Sequence, residues 1–589
     1  MPSLKAHLTA IVSDAFAAGG YDRHYGEVTL SNRPDLAQFQ CNGALAAAKR
    51  YGKQPRQIGE EVANRLKQLD CFQTVELAGP GFINLIVTDE FLTEQASQMA
   101  ADPRRGYAMT DTPQQIIVDY GGANVAKPMH VGHLRAAIIG ESIKRLTGFV
   151  GHHVVGDVHL GDWGLPMGQI IAELAERHPD WPYFATASSG PYPAVSPVTI
   201  SDLEEIYPAA SQRTKTDAEF AQLARQATNE LQRGRPGYRA LWQHFVAVSV
   251  AELQRDYGDI NVHFDLWLGE SDTQPLLATL VEELRSAGFA QESDGALIID
   301  VMEPDEKREI PPLILTKSDG AVLYGTTDLA TIQQRVQDLH AQTMLYVVDN
   351  RQALHFEQVF RSAYKTGIAP ATVGLEHLGF GTMNGKDGKP FKTRTGGVMK
   401  LRSLIEMITD KARERLEEVK AAQDYPPAEK EAIARLVGIA TLKFADLSNQ
   451  RTGDYVFDLE RFSAFEGRTG PYLLYTAART KSILRKASEE GLPFGPLQAP
   501  ASEDERTLLL KLLELPDVID LAFVQRMPHH LCEYVYTLAT GFNRFYHQHH
   551  ILSEANRAQQ ASWLALTECV VGTSALVLDL LGIAIPERM

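Results

Sequence analysis

Residues 115–151 read QIIVDYGGANVAKPMHVGHLRAAIIGESIKRLTGFVG. Gln115 to Tyr120 is a short run rich in β-branched side chains, which predicts a buried strand. Gly121 and Gly122 open a loop, and Leu134, Ile138, Ile139, Ile143 and Leu146 then recur at helical spacing until Gly148 stops the pattern. His153-Val154-Val155 begins the next strand-like run. Strand, loop, helix and strand in that order imply a crossover unit of a parallel sheet, with ligands expected beyond the carboxyl ends of its strands. The expected fold class is multi-domain α/β, with a Rossmann-type parallel-sheet domain between an N-terminal α+β domain and a C-terminal all-α domain.

Outward from this unit the text changes character. Residues 1–108 read as a separate α+β domain: Leu4, Leu8, Ile11, Val12 and Ala15 recur at helical spacing, and Gly79-Pro80-Gly81 turns the chain into a strand from Phe82 to Val87. Residues 102–106 look like a linker. The central domain spans 112–450, with an insertion at about 175–260 marked by Pro179, Pro182, Pro191, Pro193 and Pro197. Strand-like runs return at Ala296 to Val301 and Met344 to Val348, and a glycine- and lysine-rich loop occupies 379–400. Residues 451–589 are helical in pattern almost throughout, and no internal repeat is visible.

The 589 residues carry 57 Lys+Arg against 74 Asp+Glu, a formal net charge of −17. Length alone implies several domains. Cys41, Cys71, Cys532 and Cys569 have no metal-type spacing, which argues for a reducing compartment and against a disulfide framework. No apolar run long enough to cross a bilayer is expected, nor a signal peptide, so the expected location is cytoplasmic, with no membrane partner. The acidic balance argues against nucleic acid only if charge is spread evenly, because phosphate binding needs local clusters of Lys and Arg.

Two stretches carry chemistry. His130-Val131-Gly132-His133 sits where the loop after the first strand enters the helix. Helix N-terminal N–H groups attract phosphate, Gly132 lets the backbone approach closely, and two imidazoles there can donate to charge developing on a phosphoryl group. The second stretch, Gly385 to Gly397, holds Lys386, Lys389, Lys392 and Arg394 between glycines, which suits a loop neutralising a leaving pyrophosphate. It is not a Walker A loop, because Phe380 stands where the first glycine belongs and no Ser or Thr follows Lys386. Taken singly, the first stretch could be a surface turn, and the second is more often just a solvated basic loop.

Together they resemble the paired His-Ile-Gly-His and Lys-Met-Ser-Lys-Ser signatures of class I aminoacyl-tRNA synthetases. The wider text, Asn124 to Arg135, Gly161-Asp162-Trp163-Gly164 and Lys389 to Arg394, is similar to the arginyl-tRNA synthetase family in its bacterial form. Phe39 to Asn42, Ala78 to Asn84, Gly470 to Leu473, Phe542 to Tyr546 and Pro586 to Met589 extend the resemblance through most of the chain. It implies activation of arginine with ATP to arginyl-adenylate, transfer to the 3′ end of tRNA(Arg), a requirement for bound tRNA before activation, and release of pyrophosphate and AMP. It also implies a tRNA-binding N-terminal domain, an anticodon-binding C-terminal domain and a monomer. Mg²⁺ carried by ATP is the one metal expected, with no protein site for it.

The residue roles that follow are expectations. His130 and His133, with Gly132 between them, bind ATP and stabilise the phosphoryl group, and Lys389 and Lys392 hold the departing phosphates. Lys127 is a further phosphate candidate. A guanidinium substrate needs planar acceptors, preferably carboxylates, for which Asp119, Asn124, Tyr324, Asp328 and Gln352 are the candidates. Asn124 and His133 are placed at the substrate's amino and carboxylate ends. The bland alternatives are that Asp119 orients the loop, that Asp328 caps a helix beginning at Leu329, and that Gln352 is a helix-end residue. For tRNA, Tyr472, Tyr475, Arg479, Lys481 and Arg485 make the best basic and aromatic patch, while Tyr534, Tyr536, Phe542, Phe545 and Tyr546 taken singly read as core.

The chain departs from the commoner family text at Gly121, Gly122 and Ala123, where hydroxyl and proline residues are frequent, and at Pro390-Phe391. Two other classes compete: a small-substrate nucleotidyltransferase, which usually lacks a long helical region, and a catalytically silent RNA-binding relative, which would have lost signature residues, whereas both histidines and both loop lysines are present here.

Overall fold

The run 115–120 does form a strand, Gln115–Asp119 (β1), whose Ile116, Ile117 and Val118 are at most 1% exposed. Burying each such side chain contributes about 1.5–3 kcal/mol, so this strand is fixed at the centre of its sheet. The computed structural model describes residues 3–33, 35–185, 190–318, 320–389, 399–418 and 423–589. They divide into two compact units, one of 111–414 with 441–463, the other of 1–110 with 415–440 and 464–589.

In the first unit the helix Val131–Val150 (α1) crosses from β1 to the strand His153–Asp157 (β2). The helix Tyr324–Gln337 (α2) precedes the strands Thr343–Tyr346 (β3) and Gly374–His377 (β4). These strands form one all-parallel sheet in the order β4-β3-β1-β2. The order reverses between β1 and β3, and such a switch point opens a crevice at the carboxyl ends of the strands. A two-stranded parallel ribbon, Met383–Asn384 (β5) with Tyr455–Val456 (β6), lies further along the chain.

The strand expected at 296–301 is in a different sheet. Gln291–Ser293, Ala296–Ile299 and Leu313–Thr316 make an antiparallel meander, because Asp294 and Gly295 both take positive φ (50° and 79°) and close a two-residue hairpin. The stretch expected as an insertion supplies helices Ile200–Thr216, Ala218–Gln232 and Pro236–Asp259. Their apolar faces share one core with Leu165–Arg177 and with Val125, Ala126 and Trp163. The loop before His130 is therefore packed from beneath by this helical layer.

In the other unit the first helix, Leu4–Ala18, and the turn at Gly79 and Gly81 before the strand Phe82–Val87 fall where expected. A four-stranded antiparallel sheet, in the order Val28–Leu30, Phe39–Cys41, Phe82–Val87, Phe72–Ala78, is tied to C-terminal helices. Arg506 donates to the carbonyl of Val87 at 2.6 Å and pairs with Asp89, and the Tyr107 hydroxyl donates to Asp520 at 2.8 Å. The expectation that no segment is long and apolar enough to cross a bilayer needs correction: the helix Arg557–Leu580 passes that test, with a mean hydropathy of 1.5 over its most apolar window. That window is 67% buried inside the protein, where Trp563, Leu564, Leu566, Val570 and Val577 pack as core.

Candidate active site

The two signature histidines are locked by their own backbone. His130, the N-cap of α1, accepts from the Gly132 N–H on Nδ1 at 3.0 Å, and the His130 N–H donates to Nδ1 of His133 at 3.3 Å. With both Nδ1 atoms accepting, the proton of each neutral ring sits on Nε2. The rings stack at 3.9 Å between centroids. Burial and the cation of Lys127 push the His130 imidazole below its ordinary range, and burial with both neighbours pushes His133 down to about 3. Two neutral Nε2–H donors therefore stand at a helix N-terminus, where partial positive charge already favours an anion. Gly132 is required between them, since a Cβ there would lie 2.8 Å from His130 Cε1.

The loop ahead of α1 uses its unusual glycines. Gly121 has φ +97° and Gly122 has φ +59°, and a Cβ on Gly121 would meet the Tyr257 hydroxyl at 2.8 Å. The backbone then pairs with the loop after β2, Val125 N–H donating to Gly161 at 3.0 Å and Gly161 N–H to Ala123 at 3.0 Å. Asn124 faces Gly161 so closely that a Cβ on the glycine would sit 2.2 Å from Asn124 Oδ1. Lys127 carries its Nζ 4.9 Å from the Tyr207 ring, on the helical layer.

The second signature is joined to the first. Its outgoing arm is β5, followed by a turn in which Gly385 N–H donates to Lys389 O at 2.8 Å. Its returning arm lies beside His130: Val131 N–H donates to Met399 O at 3.0 Å and Leu401 N–H to Met129 O at 2.9 Å. Lys389 stands at the end of the outgoing arm; Lys392, with Pro390 and Phe391, lies outside the described residues.

Tyr324 and Asp328 are brought together one helical turn apart on α2. Because α2 begins at Tyr324, Asp328 is inside the helix, and the capping alternative fails. Asp328 Oδ2 lies 2.6 Å from His355 Nε2, and the Tyr324 ring stacks obliquely on the same histidine at 4.9 Å while remaining 64% exposed. Gln352 is exposed in the short 3₁₀ turn Asn350–Gln352 that leads into the helix bearing His355. Sequence reasoning missed Glu270, the first residue of the helix Glu270–Ser286. Burial and the charges of Asp162 and Asp328 raise its carboxyl to about 7, against the lowering effect of His159. Its only sequence signal, an acid in a first helical turn, is shared by ordinary helices.

Asp119 has a different setting from the one expected of a ligand. It and Asp157 both accept from Arg335 Nη2, at 2.6 and 2.7 Å, and Arg335 is 1% exposed. Asp119 is thus held in a buried ion triad behind the crevice, which favours its orienting role. Asp119, Asp157 and His159 also offer ligand atoms within 4.8 Å of one another, but the guanidinium already neutralises the two carboxylates, a poor setting for a further cation.

The other unit contains a separate cavity of about 860 Å³, lined among others by Tyr472, Tyr475, Arg479, Asn543, Arg544 and Tyr546. Arg479 lies over the Tyr475 ring at 4.7 Å and donates to its hydroxyl at 2.9 Å, and Asn543 donates to Tyr472 at 2.9 Å. Lys481 and Arg485 do not line it: Lys481 pairs with Glu587 at 2.9 Å and Arg485 with Glu489 at 3.9 Å. Phe542, Phe545 and Tyr534 are core, whereas Tyr546 faces the cavity.

A parallel sheet with this switch point, two histidines capping the first crossover helix and a lysine-bearing loop zipped beside them define a class I synthetase catalytic domain. Residues 96–459 match the family described as tRNA synthetases class I (R), catalytic domain, 473–589 the DALR anticodon binding domain and 2–87 the arginyl tRNA synthetase N terminal domain. The chain belongs to the arginine–tRNA ligase family: it is 52% identical to the arginine–tRNA ligase of Alkaliphilus oremlandii and 50% to that of Hyphomonas neptunium, each over the whole of both chains. Its fold is that of the arginyl-tRNA synthetases of Plasmodium falciparum (TM-score 0.79, 23% identity) and Thermus thermophilus (0.77, 24%), again covering both chains fully.

Proposed function

We propose that this chain activates arginine with ATP and esterifies it to tRNA(Arg). The arginine carboxylate attacks the α-phosphorus, an acyl–phosphate bond forms and pyrophosphate leaves. A 3′-terminal ribose hydroxyl then attacks the acyl carbon and AMP leaves. No covalent enzyme intermediate is needed, so positioning and charge stabilisation carry the catalysis. The observation that carries the site assignment is the pair of neutral Nε2–H donors at His130 and His133, in a unit whose α2 offers Tyr324 and Asp328 on one face.

In this reading His130 and His133 donate to the phosphoryl oxygens as charge develops, and Lys389, Lys392 and Lys127 neutralise the polyphosphate. Asp328, held by His355, and Tyr324 take the guanidinium, with Gln352 at its edge and Glu270 as a further acid. Asn124 and His133 take the amino and carboxylate ends, while Asp119 supports the strand end through Arg335. Mg²⁺ arrives with ATP and supplies charge neutralisation there; no protein ligand is assigned to it. The N-terminal domain (1–108) and the helical domain (451–589) bind the tRNA on which the catalytic domain (112–450) acts, with Tyr472, Tyr475 and Arg479 stacking on and pairing with the anticodon arm. The enzyme works as a monomer and in the cytoplasm, the location in keeping with its four unpaired cysteines. The test is incorporation of labelled amino acids into bulk tRNA: arginine should form the ester, and charging of another amino acid in its place would refute the assignment.

A further inference from the structure

The structure contains a buried network that neither signature motif announces. Arg135, two residues beyond His133 on α1, has a side chain only 3% exposed. Its Nε donates to Asp446 Oδ2 at 3.0 Å, and its Nη1 donates to the carbonyls of Gly381 at 2.6 Å and Gly453 at 3.1 Å. The guanidinium lies 5.1 Å from the Tyr455 ring and 5.8 Å from that of Phe380. The Tyr455 hydroxyl donates to the same Asp446 oxygen at 3.0 Å, and the Asp446 side chain is fully buried. Gly381 and Gly453 pass back to back, a Cβ on Gly381 meeting the Gly453 backbone at 2.5 Å. One planar fork thus grips both arms of the β5/β6 ribbon, and β5 leads directly into Lys389. The returning arm of the same loop is already bonded to the backbone on either side of His130.

We propose that Arg135, through Asp446 and the Gly381 and Gly453 carbonyls, is a positioning residue that fixes the lysine-bearing arm in register with His130 and His133. Arg135 touches no reacting atom. It couples the two halves of the phosphate site because one helix carries both the histidines and the fork. A lysine cannot replace it, since a single ammonium on a shorter reach cannot satisfy a carboxylate and two divergent carbonyls in one plane. The inference rests on the arginine-activating reading above.

The test uses the full chain, with Arg135→Lys and Tyr455→Phe as variants. Arginine- and tRNA-dependent exchange of pyrophosphate into ATP is measured with kcat and both KM values, beside amide hydrogen exchange of residues 381–389. Misplacing a phosphate group by about 1 Å costs on the order of 100-fold in rate. Arg135→Lys should therefore lower kcat by about 30- to 100-fold with the arginine KM within twofold, and should speed amide exchange in 381–389 selectively. Tyr455→Phe keeps the ring and removes one bond to Asp446, so the same pattern should be smaller, about three- to tenfold in kcat. Both variants folding with kcat within twofold of the parent, or an arginine KM rising as much as kcat falls, would overturn the proposal. If Arg135→Lys does not fold, Tyr455→Phe decides alone. An unmodified chain without arginine-dependent exchange would refute the functional reading and leave the coupling to be judged by amide exchange.

Discussion

Replacing Asp328 by Asn tests the substrate assignment with little disturbance of the fold. The carboxylate is 2.6 Å from His355 and one turn from Tyr324, in a partly buried site. An Asn amide oxygen still accepts from a His355 N–H, so the helix pair should survive, and a thermal midpoint within a few degrees of the parent is expected. The negative charge is what is lost. A hydrogen bond to a charged group contributes about 1.5–3 kcal/mol, and at about 1.4 kcal/mol per tenfold this raises the arginine KM by roughly 10- to 150-fold. ATP is bound elsewhere, by α1 and the second signature, so its KM should stay within about twofold. Pyrophosphate exchange at saturating tRNA, with arginine and ATP varied in turn, reads both. Equal rises in the two KM values would return Asp328 to a structural role, and an arginine KM raised less than threefold would remove it from the guanidinium site.

Three further outcomes follow from the same geometry. His133→Ala removes a donor acting at the transition state and should lower kcat by about 100- to 1000-fold; because burial holds His133 down at about 3, the parent kcat should show no limb from it between pH 6 and 9, and a limb near 6.5 lost in this variant would contradict the burial argument. Glu270, raised to about 7, holds a proton in the folded protein that the unfolded chain releases near pH 4.5, so its burial costs stability that grows as pH rises from about 4.5 to about 7 and is constant above that. Glu270→Gln should accordingly raise the melting temperature more at pH 8 than at pH 6, and should flatten a parental fall in arginine KM over the same range; a pH-independent difference would count against the shift. Tyr475→Ala should weaken tRNA binding by about 1–3 kcal/mol, the value of one stacked base, with arginine KM unchanged in filter-binding and exchange assays, and an unaltered tRNA affinity would detach the helical cavity from recognition.

The catalytic architecture was legible because its determinants are local. A β-branched run, two glycines, a helical stripe and a His-x-Gly-His entry are contiguous in 115–150, and each constrains the backbone within a few residues. The tyrosine and aspartate of α2 were likewise readable as a pair, although the helix begins five residues earlier than Leu329 suggests, so Asp328 lies inside it. The groups that escaped notice owe their character to distant partners. Arg335 is a helical arginine until β1 and β2 bring Asp119 and Asp157 to it. Glu270 is an ordinary first-turn acid until Asp162 and Asp328 surround it. The hairpin at Asp294-Gly295, by contrast, carries a local signal in its Asp-Gly pair. Lys481 and Arg485, clustered in sequence, lie outside the cavity and pair at the surface with Glu587 and Glu489.

The backbone zip at Met129–Val131 and Met399–Leu401 bears on how the site arises during synthesis. The His130 segment leaves the ribosome about 270 residues before its partner strand and about 320 before Tyr455, whose ribbon the fork of Arg135 closes. Domains fold as they emerge, at about 5–20 residues per second, so the histidine-bearing helix waits on the order of 15–60 seconds for the segments that seat it. Through that interval the helix has its helical layer beneath it but not the Met399–Leu401 segment or the ribbon that Arg135 grips.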